Sequence, residues 1–64
     1  MQFEIEKNEK GQYYWRLRAA NNQIIAWSGE SYVNKSDCER GIRLVKSTDA
    51  STPVVDKTVA SVRW

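Results

Sequence analysis

The alternation of apolar and polar side chains predicts a β-strand at the start of the chain. In residues 2–7, Phe3 and Ile5 fall on one side, and Glu4 and Glu6 fall on the other. A period of two over this length is typical of a strand that buries one of its two faces.

The same alternation in residues 12–19 predicts a second, antiparallel strand. A three-residue loop of Glu9, Lys10 and Gly11 would join the two strands, because glycine adopts the positive φ that a short hairpin loop needs. This register matches apolar with apolar and charge with charge: Phe3 lies opposite Leu17, Ile5 opposite Trp15, and Glu4 opposite Arg16. One face of the second strand then carries Tyr13, Trp15, Leu17 and Ala19, and the other carries Tyr14, Arg16 and Arg18.

A third strand is predicted at residues 23–28, after a two-residue turn of Asn21 and Asn22, because asparagine tolerates positive φ. Pairing Ala20 with Gln23 places Ile24 and Ala26 on the Trp15 side of the sheet, and Ile25 and Trp27 on the arginine side. This strand is therefore apolar on both faces. Either both faces are covered, or one of them binds a partner.

Residues 35–47 have the spacing of a helix that packs one side against a sheet. The start is marked by Asn34 as a helix cap and by Asp37 in the first turn. Gly41 indicates close approach to a bulky ring or to the sheet, since a glycine within a helix otherwise costs up to ~1 kcal/mol relative to alanine. A single apolar stripe runs through Cys38, Ile42 and Val45.

The polar connection after the helix closes at Pro53, and a fourth strand is predicted within residues 57–63. On that strand one face would carry Thr58, Ala60, Val62 and Trp64. The order β-β-β-α-β makes residues 1–64 one α+β domain, with an antiparallel sheet and one helix packed on one face.

The length of the chain limits how much core it can build alone. A chain of 64 residues buries only about 60% of the surface that its unfolded form exposes, so small domains need a disulfide, a metal or a partner. Cys38 is the only cysteine and there is no histidine, which excludes an internal disulfide and disfavours a zinc site. Self-association is the supplement that this composition leaves.

The net charge and the composition of individual segments bear on the class of partner and on the cellular compartment. Ten Lys and Arg against eight Asp and Glu give a net charge of +2, too mild to indicate nucleic acid by itself. The start "MQFEIEK" has no basic region followed by an apolar run, and no stretch approaches the ~18 apolar residues of a membrane span. With one thiol and no export signal, we expect a cytoplasmic protein without a membrane partner.

A series of turn, strand and helix markers over roughly residues 3–47 resembles the YegP-like family of small uncharacterised bacterial and archaeal domains. At Asn22 the chain departs from the pattern, since a glycine after Asn21 would be more usual. The markers are Tyr14, Arg16, Leu17, Ala20, Asn21, Ile25, Ala26, Ser28, Glu30, Tyr32, Lys35, Cys38, Gly41, Ile42, Val45 and Lys46.

The resemblance implies a β3-α-β unit that occurs twice, as a tandem repeat or as two identical chains. The two units would share one sheet and exchange their C-terminal strands, so a chain with one unit implies a strand-swapped homodimer. The family carries no established activity, and the resemblance therefore transfers no functional residues, cofactor or substrate.

One candidate binding face emerges from the strand pattern. Aromatic rings on it would stack on bases while guanidinium groups meet phosphates, as on sheets that bind single strands. Alternatively, Trp27 lies under the arginine stems in a cation–π contact, and Glu4 and Glu6 neutralise the arginines. The face consists of Tyr14, Arg16, Arg18 and Trp27.

Other reactive side chains give no catalytic or metal-binding pattern. Cys38 lies on the apolar stripe and has no histidine to act as its base, which predicts a buried, inert thiol. Three acidic residues could be imagined as an acid–base or metal cluster, but their spacing fits no calcium loop: Glu30, Asp37 and Glu39. We therefore predict no catalytic residue, no metal and no cofactor.

Three hypotheses for the function follow. The first is a non-enzymatic structural or interaction module that forms a homodimer and keeps its aromatic and arginine face for an unknown partner. The second is a nucleic-acid-binding module that uses the same face. The third, an enzyme with a composite site at the dimer interface, needs a titratable constellation that one chain lacks.

Overall fold

The computed structural model describes residues 1–58 and shows three antiparallel strands and one helix, which confirms the α+β class. The sheet has the order β1-β2-β3. Of the fourth strand predicted within 57–63, Lys57 and Thr58 form a turn, and residues 59–63 lie outside the described residues. The elements are β1 (Gln2–Lys7), β2 (Tyr13–Arg18), β3 (Ile24–Trp27) and α1 (Lys35–Lys46).

The hairpin of β1 and β2 has the predicted register, with Phe3 opposite Leu17 and Ile5 opposite Trp15. Its loop closes with two backbone bonds: Asn8 N–H donates to Gln12 O at 2.9 Å, and Gly11 N–H donates to Asn8 O at 3.0 Å. Gly11 has a φ of +75°, the conformation that ends a three-residue hairpin loop. The predicted loop is confirmed.

The hairpin of β2 and β3 differs from the prediction in its turn. Ala19 N–H donates to Gln23 O at 2.8 Å, and Asn22 N–H donates to Ala19 O at 2.9 Å. The loop therefore has three residues, Ala20 to Asn22, and the predicted pairing of Ala20 with Gln23 is wrong. Asn22 has a φ of +71°, so it occupies the position that Gly11 holds in the first hairpin.

The longer loop changes the register by one residue at the start of β3. Arg18 pairs with Ile24, whereas Leu17 pairs with Ala26 and the register shifts between them. The prediction that Ile24 lies on the Trp15 side is wrong, because cross-strand partners share a face and Ile24 is the partner of Arg18. Beyond this bulge Trp27 lies opposite Arg16, as predicted.

Substitutions at Asn22 test the second loop. We expect Asn22→Ala to lower the free energy of unfolding by about 1 kcal/mol, because alanine tolerates positive φ less well than asparagine does. Asn22→Gly carries no such penalty and should be close to neutral. Urea unfolding of the three proteins measures the difference, and an alanine variant as stable as the glycine variant would contradict the loop geometry.

The helix lies across the sheet on the side of Trp15. Its observed span ends at Lys46, one residue before the predicted end, and Asn34 occupies the cap position without a side-chain hydrogen bond. Cys38 and Ile42 are buried together with Trp15, so the predicted stripe is confirmed. The partly buried residues around them are Phe3, Ile5, Tyr13, Leu17, Ala26, Tyr32 and Val45.

Gly41 lies where the helix comes closest to the sheet, as its place on the stripe predicted. A Cβ at this position would stand 2.9 Å from Tyr32 Oη and 3.3 Å from Trp15 Nε1. Both distances are shorter than ordinary van der Waals contact, so a side chain here would displace one of the two rings. The glycine therefore sets the separation of helix and sheet.

Candidate partner-binding face

The four residues of the predicted binding face, hereafter the partner face, lie on β2 and β3. Arg16 and Trp27 are direct cross-strand partners, and Tyr14 and Arg18 flank Arg16 at two-residue spacing along β2. Because side chains alternate along a strand, this register gives all four one side of the sheet. Trp15, between them, packs on the helix from the opposite side.

Arg18 is held by two partners. Its Nε donates to Glu4 Oε1 at 2.7 Å, and its Nη1 donates to the backbone O of Asn22 at 2.9 Å. The Arg18 guanidinium, followed by the side-chain amide of Gln2, lowers the pKa of the Glu4 carboxyl below its usual range. Arg18 thus links β2 to β1 through Glu4 and also binds the second hairpin loop through the backbone of Asn22.

The ion pairs run diagonally across the strands. Glu4 lies directly opposite Arg16, as predicted, but its carboxylate bonds to Arg18, and Arg16 Nη2 lies 3.5 Å from Glu6 Oε2. The right-handed twist of paired strands brings such diagonal neighbours within reach of long side chains. The predicted charge pair of Glu4 with Arg16 is wrong in detail, although the two glutamates do neutralise the two arginines.

Arg16 lies over a different ring from the one predicted. Its guanidinium carbon is 5.7 Å from the centroid of the Tyr14 ring, whereas the prediction placed Trp27 under the arginine stems. Within residues 1–58 the Arg16 Nε is buried and has no hydrogen-bond acceptor. Trp27 is 58% exposed.

The two edges of the sheet differ in charge. β1 carries Glu4, Glu6 and Lys7, and charged side chains protect an edge strand from pairing with another chain. No residue from Ala19 to Gly29 is charged, and β3 lies within this run. Three large apolar side chains of β3 are exposed: Ile24, Ile25 and Trp27.

Lowering the pH tests the contact of Glu4 with Arg18. Because the folded-state pKa of Glu4 is lowered, its contribution to stability is present above the ordinary pKa of a glutamate and is lost as the pH falls through the lower folded-state pKa. We expect Glu4→Gln to lower the urea midpoint at pH 7 and to lose this difference at acidic pH. The control Glu9→Gln, in the first loop, should show no such convergence.

Cys38 is fully buried and unpaired with another cysteine. Burial, and then the charge of Glu39, raise the pKa of its thiol, which disfavours the reactive thiolate. The prediction of a buried thiol is confirmed.

Two of the acidic residues considered in the sequence, Glu30 and Asp37, line a cleft beside Arg40. Residues 1–58 contain no group of three or more side chains suited to a metal ion.

Tyr32 is the contact that the sequence pattern did not indicate. Its backbone exchanges two hydrogen bonds with Tyr13, at 2.7 and 2.8 Å, and its ring rests against Gly41. The intervening loop leaves the strand at Gly29, which has a φ of +75°. Only the apolar character of Tyr32 after "SGES" hints that the chain returns to the sheet there.

The apolar core remains open at one end. A cleft of about 470 Å³ lies between the sheet and the end of the helix, with Phe3, Leu17 and Val45 among its walls. These three side chains are only partly buried.

In the described part of the chain, no helix is long and apolar enough to cross a membrane.

Comparison with known proteins places this geometry in a family. Residues 8–56 match a domain of unknown function, DUF1508. A UPF0339 protein of Neisseria meningitidis serogroup B is 56% identical over 54 residues, which cover 84% of this chain and 95% of that protein. The UPF0339 protein YegP of Escherichia coli is 38% identical over 56 residues, which cover 88% of this chain and 50% of YegP.

A solved structure has the same fold. The NMR solution structure of a protein from Haloferax volcanii aligns with a TM-score of 0.75 and 34% sequence identity, over 86% of this chain and 92% of that one. The family model covers more than half of the 64 residues, and the relatives match in sequence and in fold. The chain belongs to the DUF1508 family of YegP-like UPF0339 proteins, whose function is unknown.

Proposed function

We propose that this protein is a non-enzymatic interaction module that works as a homodimer, in which each chain gives its C-terminal segment to its partner. The C-terminal segment is residues 48–64, of which 48–58 are described. One observation carries the proposal: among the described residues, the hydrogen bonds of residues 49–58 all stay within that segment. Its Val54 and Val55 are 69% and 55% exposed.

The size of the molecule supports the proposal. The radius of gyration is 14.4 Å, against about 11 Å for a compact domain of this length. A segment that extends from its own body leaves apolar side chains in water, which is unfavourable by about 25 cal/mol per Å² of apolar surface. Burial against a second chain removes that cost.

The uncharged β3 edge is the acceptor that we propose for the partner's C-terminal segment. An added strand there would continue the sheet through main-chain hydrogen bonds and would cover part of Ile25. The predicted strand within 57–63 supplies a suitable alternation of side chains. The charged β1 edge is the poorer acceptor, since its side chains would be stripped of water.

The lengths of the relatives agree with a two-unit assembly. This chain covers nearly all of the Neisseria protein but half of E. coli YegP. A family with single-length and double-length members is expected if two units are needed to complete one fold, whether they come from one chain or from two.

Two features support a binding role rather than catalysis. The chain has no histidine, and its one thiol is buried with a raised pKa, so neither of the commonest nucleophile–base pairs can form within a chain. The free thiol also fits our proposal of a cytoplasmic location, because reducing compartments preserve it. We propose that the partner face binds a further protein.

Sedimentation at micromolar concentration tests the dimer. We expect a species of twice the 7.4 kDa chain mass, with dissociation and unfolding coupled on dilution because neither chain is complete alone. A well-folded monomer at 7.4 kDa would contradict the proposal.

Titration with a single-stranded oligonucleotide at low salt tests the alternative function, a nucleic-acid-binding module. The neutralisation of Arg16 and Arg18 by glutamates disfavours this alternative.

A further inference from the structure

Arg16 is the arginine of the partner face whose hydrogen-bonding capacity is less used. Within residues 1–58 the one carboxylate within 4 Å of its nitrogens is that of Glu6, 3.5 Å from Nη2, which is too long for a strong charge-assisted bond. Its Nε is buried without an acceptor, a state that costs free energy in a folded protein. The side chain as a whole is 27% exposed, so an approaching group can reach the guanidinium at its terminal nitrogens rather than at Nε.

Arg18, two residues along the same strand, provides the contrast. It donates at 2.7 Å to Glu4 and at 2.9 Å to Asn22 O. A ligand that bound Arg18 would have to break these bonds, whereas a ligand that binds Arg16 replaces none of comparable quality. New hydrogen bonds at Arg16 therefore contribute more of their free energy to binding.

Two aromatic side chains, Tyr14 and Trp27, neighbour Arg16 in the sheet. The Tyr14 ring lies beneath the Arg16 guanidinium, with the centroid 5.7 Å away, and the exposed Trp27 is the cross-strand partner of Arg16. A planar cation over one ring, with a second, exposed ring on the adjacent strand, suits a planar anion that is attached to apolar groups. Exposed tryptophan, tyrosine and arginine are also the residue types that dominate binding energy at protein interfaces.

The charge of the face argues for a single anionic group rather than a chain of phosphates. Glu4 and Glu6 lie on the same side of the sheet and balance Arg16 and Arg18. Successive phosphates would meet both carboxylates, and like charges at close range disfavour binding. A lone carboxylate at Arg16 avoids most of this repulsion.

We propose that Arg16 binds one carboxylate of a partner protein, presented on a segment whose apolar side chains pack on Tyr14 and Trp27. The carboxylate takes the place of Glu6 at the guanidinium and engages the two terminal nitrogens in the fork geometry of arginine. This inference rests on the proposed interaction function and names the chemistry of the partner.

The test uses the full chain and two peptides, acetyl-Val-Phe-Glu-Phe-Val-amide and its counterpart with Gln in the centre. We expect the Glu peptide to shift the NMR signals of Arg16 Nε–H and the Trp27 indole N–H, and to bind about tenfold more tightly than the Gln peptide. Arg16→Gln should abolish this preference. The control Arg43→Gln, on an exposed part of the helix, should keep it.

Three results would overturn the inference: equal binding of the two peptides, no shift with millimolar peptide, or tighter, steeply salt-dependent binding of a short oligothymidylate. The comparison of the two peptides on the unmodified protein stands even if Arg16→Gln does not fold. Sedimentation of the same samples separates the two proposals. A dimer that binds both peptides equally refutes only the partner chemistry, whereas a folded monomer refutes the homodimer of the proposed function.

Discussion

Removal of residues 54–64 is expected to abolish both cooperative folding and dimerisation. The remaining residues include the sequences of all three strands and of the helix, but the core that they form contains only three buried side chains among the described residues. The stability of a domain of this length is roughly 3–10 kcal/mol when complete. Loss of the segment that we propose to cover the neighbouring chain removes more apolar burial than this margin tolerates.

Circular dichroism on heating and sedimentation measure the outcome together. The truncated chain should show no cooperative melting transition and no dimer, and a synthetic peptide of residues 54–64 added in excess should restore a transition. A matched control, Val54→Thr, keeps the length and the branched shape and should remain a folded dimer. A truncated chain that melts cooperatively as a monomer would show that the segment is dispensable.

Trp15→Ala is expected to unfold the protein, whereas Trp27→Ala is not. Trp15 is 6% exposed and packs edge-to-face on Phe3, with ring centroids 5.4 Å apart. Replacing a buried tryptophan by alanine costs about 3–5 kcal/mol, which is comparable to the whole stability of a small domain. Trp27 is 58% exposed, and its replacement should cost less than about 1 kcal/mol.

The two tryptophans form a matched pair, because the substitution is the same and they lie on adjacent strands. Urea unfolding followed by circular dichroism gives the two free energies. We expect no native baseline for Trp15→Ala and a nearly unchanged midpoint for Trp27→Ala. Similar losses in the two variants would mean that the partner face is as deeply packed as the core, and it would then be no free surface for a partner.

The first hairpin and the helix could be predicted from the sequence because several signals agree there. Alternation, charge pairing and a glycine in the loop all specify one register for β1 and β2. The helical stripe of Cys38, Ile42 and Val45 is equally consistent, and Gly41 marked the close approach of helix and sheet. Where one register satisfies every local preference, the pattern determines the structure.

The second hairpin could not be predicted to the same accuracy. "ANNQ" suits a two-residue or a three-residue loop, because either asparagine tolerates positive φ, and the apolar character of both faces of β3 removes the alternation that would select a register. The bulge between Leu17 and Arg18 then corrects the register further along the strand. The pattern therefore predicts the wrong face for Ile24 and the right one for Trp27.

The side-chain partners within the partner face also could not be predicted from the alternation of residues along the strands. Spacing along the strands predicts which residues share a side, and it placed Tyr14, Arg16, Arg18 and Trp27 together. Which glutamate meets which arginine depends on the twist of the sheet and on side-chain length. The unused hydrogen-bonding capacity of Arg16 depends on those side-chain distances, which the spacing of residues in the sequence does not predict.

Isotope-filtered NMR on an equimolar mixture of labelled and unlabelled chains tests the exchange of C-terminal segments most directly. The experiment detects only contacts between different molecules. We predict intermolecular contacts from the methyl groups of Val54 and Val55 to protons of β3. If those methyl groups contact only their own chain, or contact nothing while the protein melts cooperatively, the homodimer built on exchanged segments is wrong.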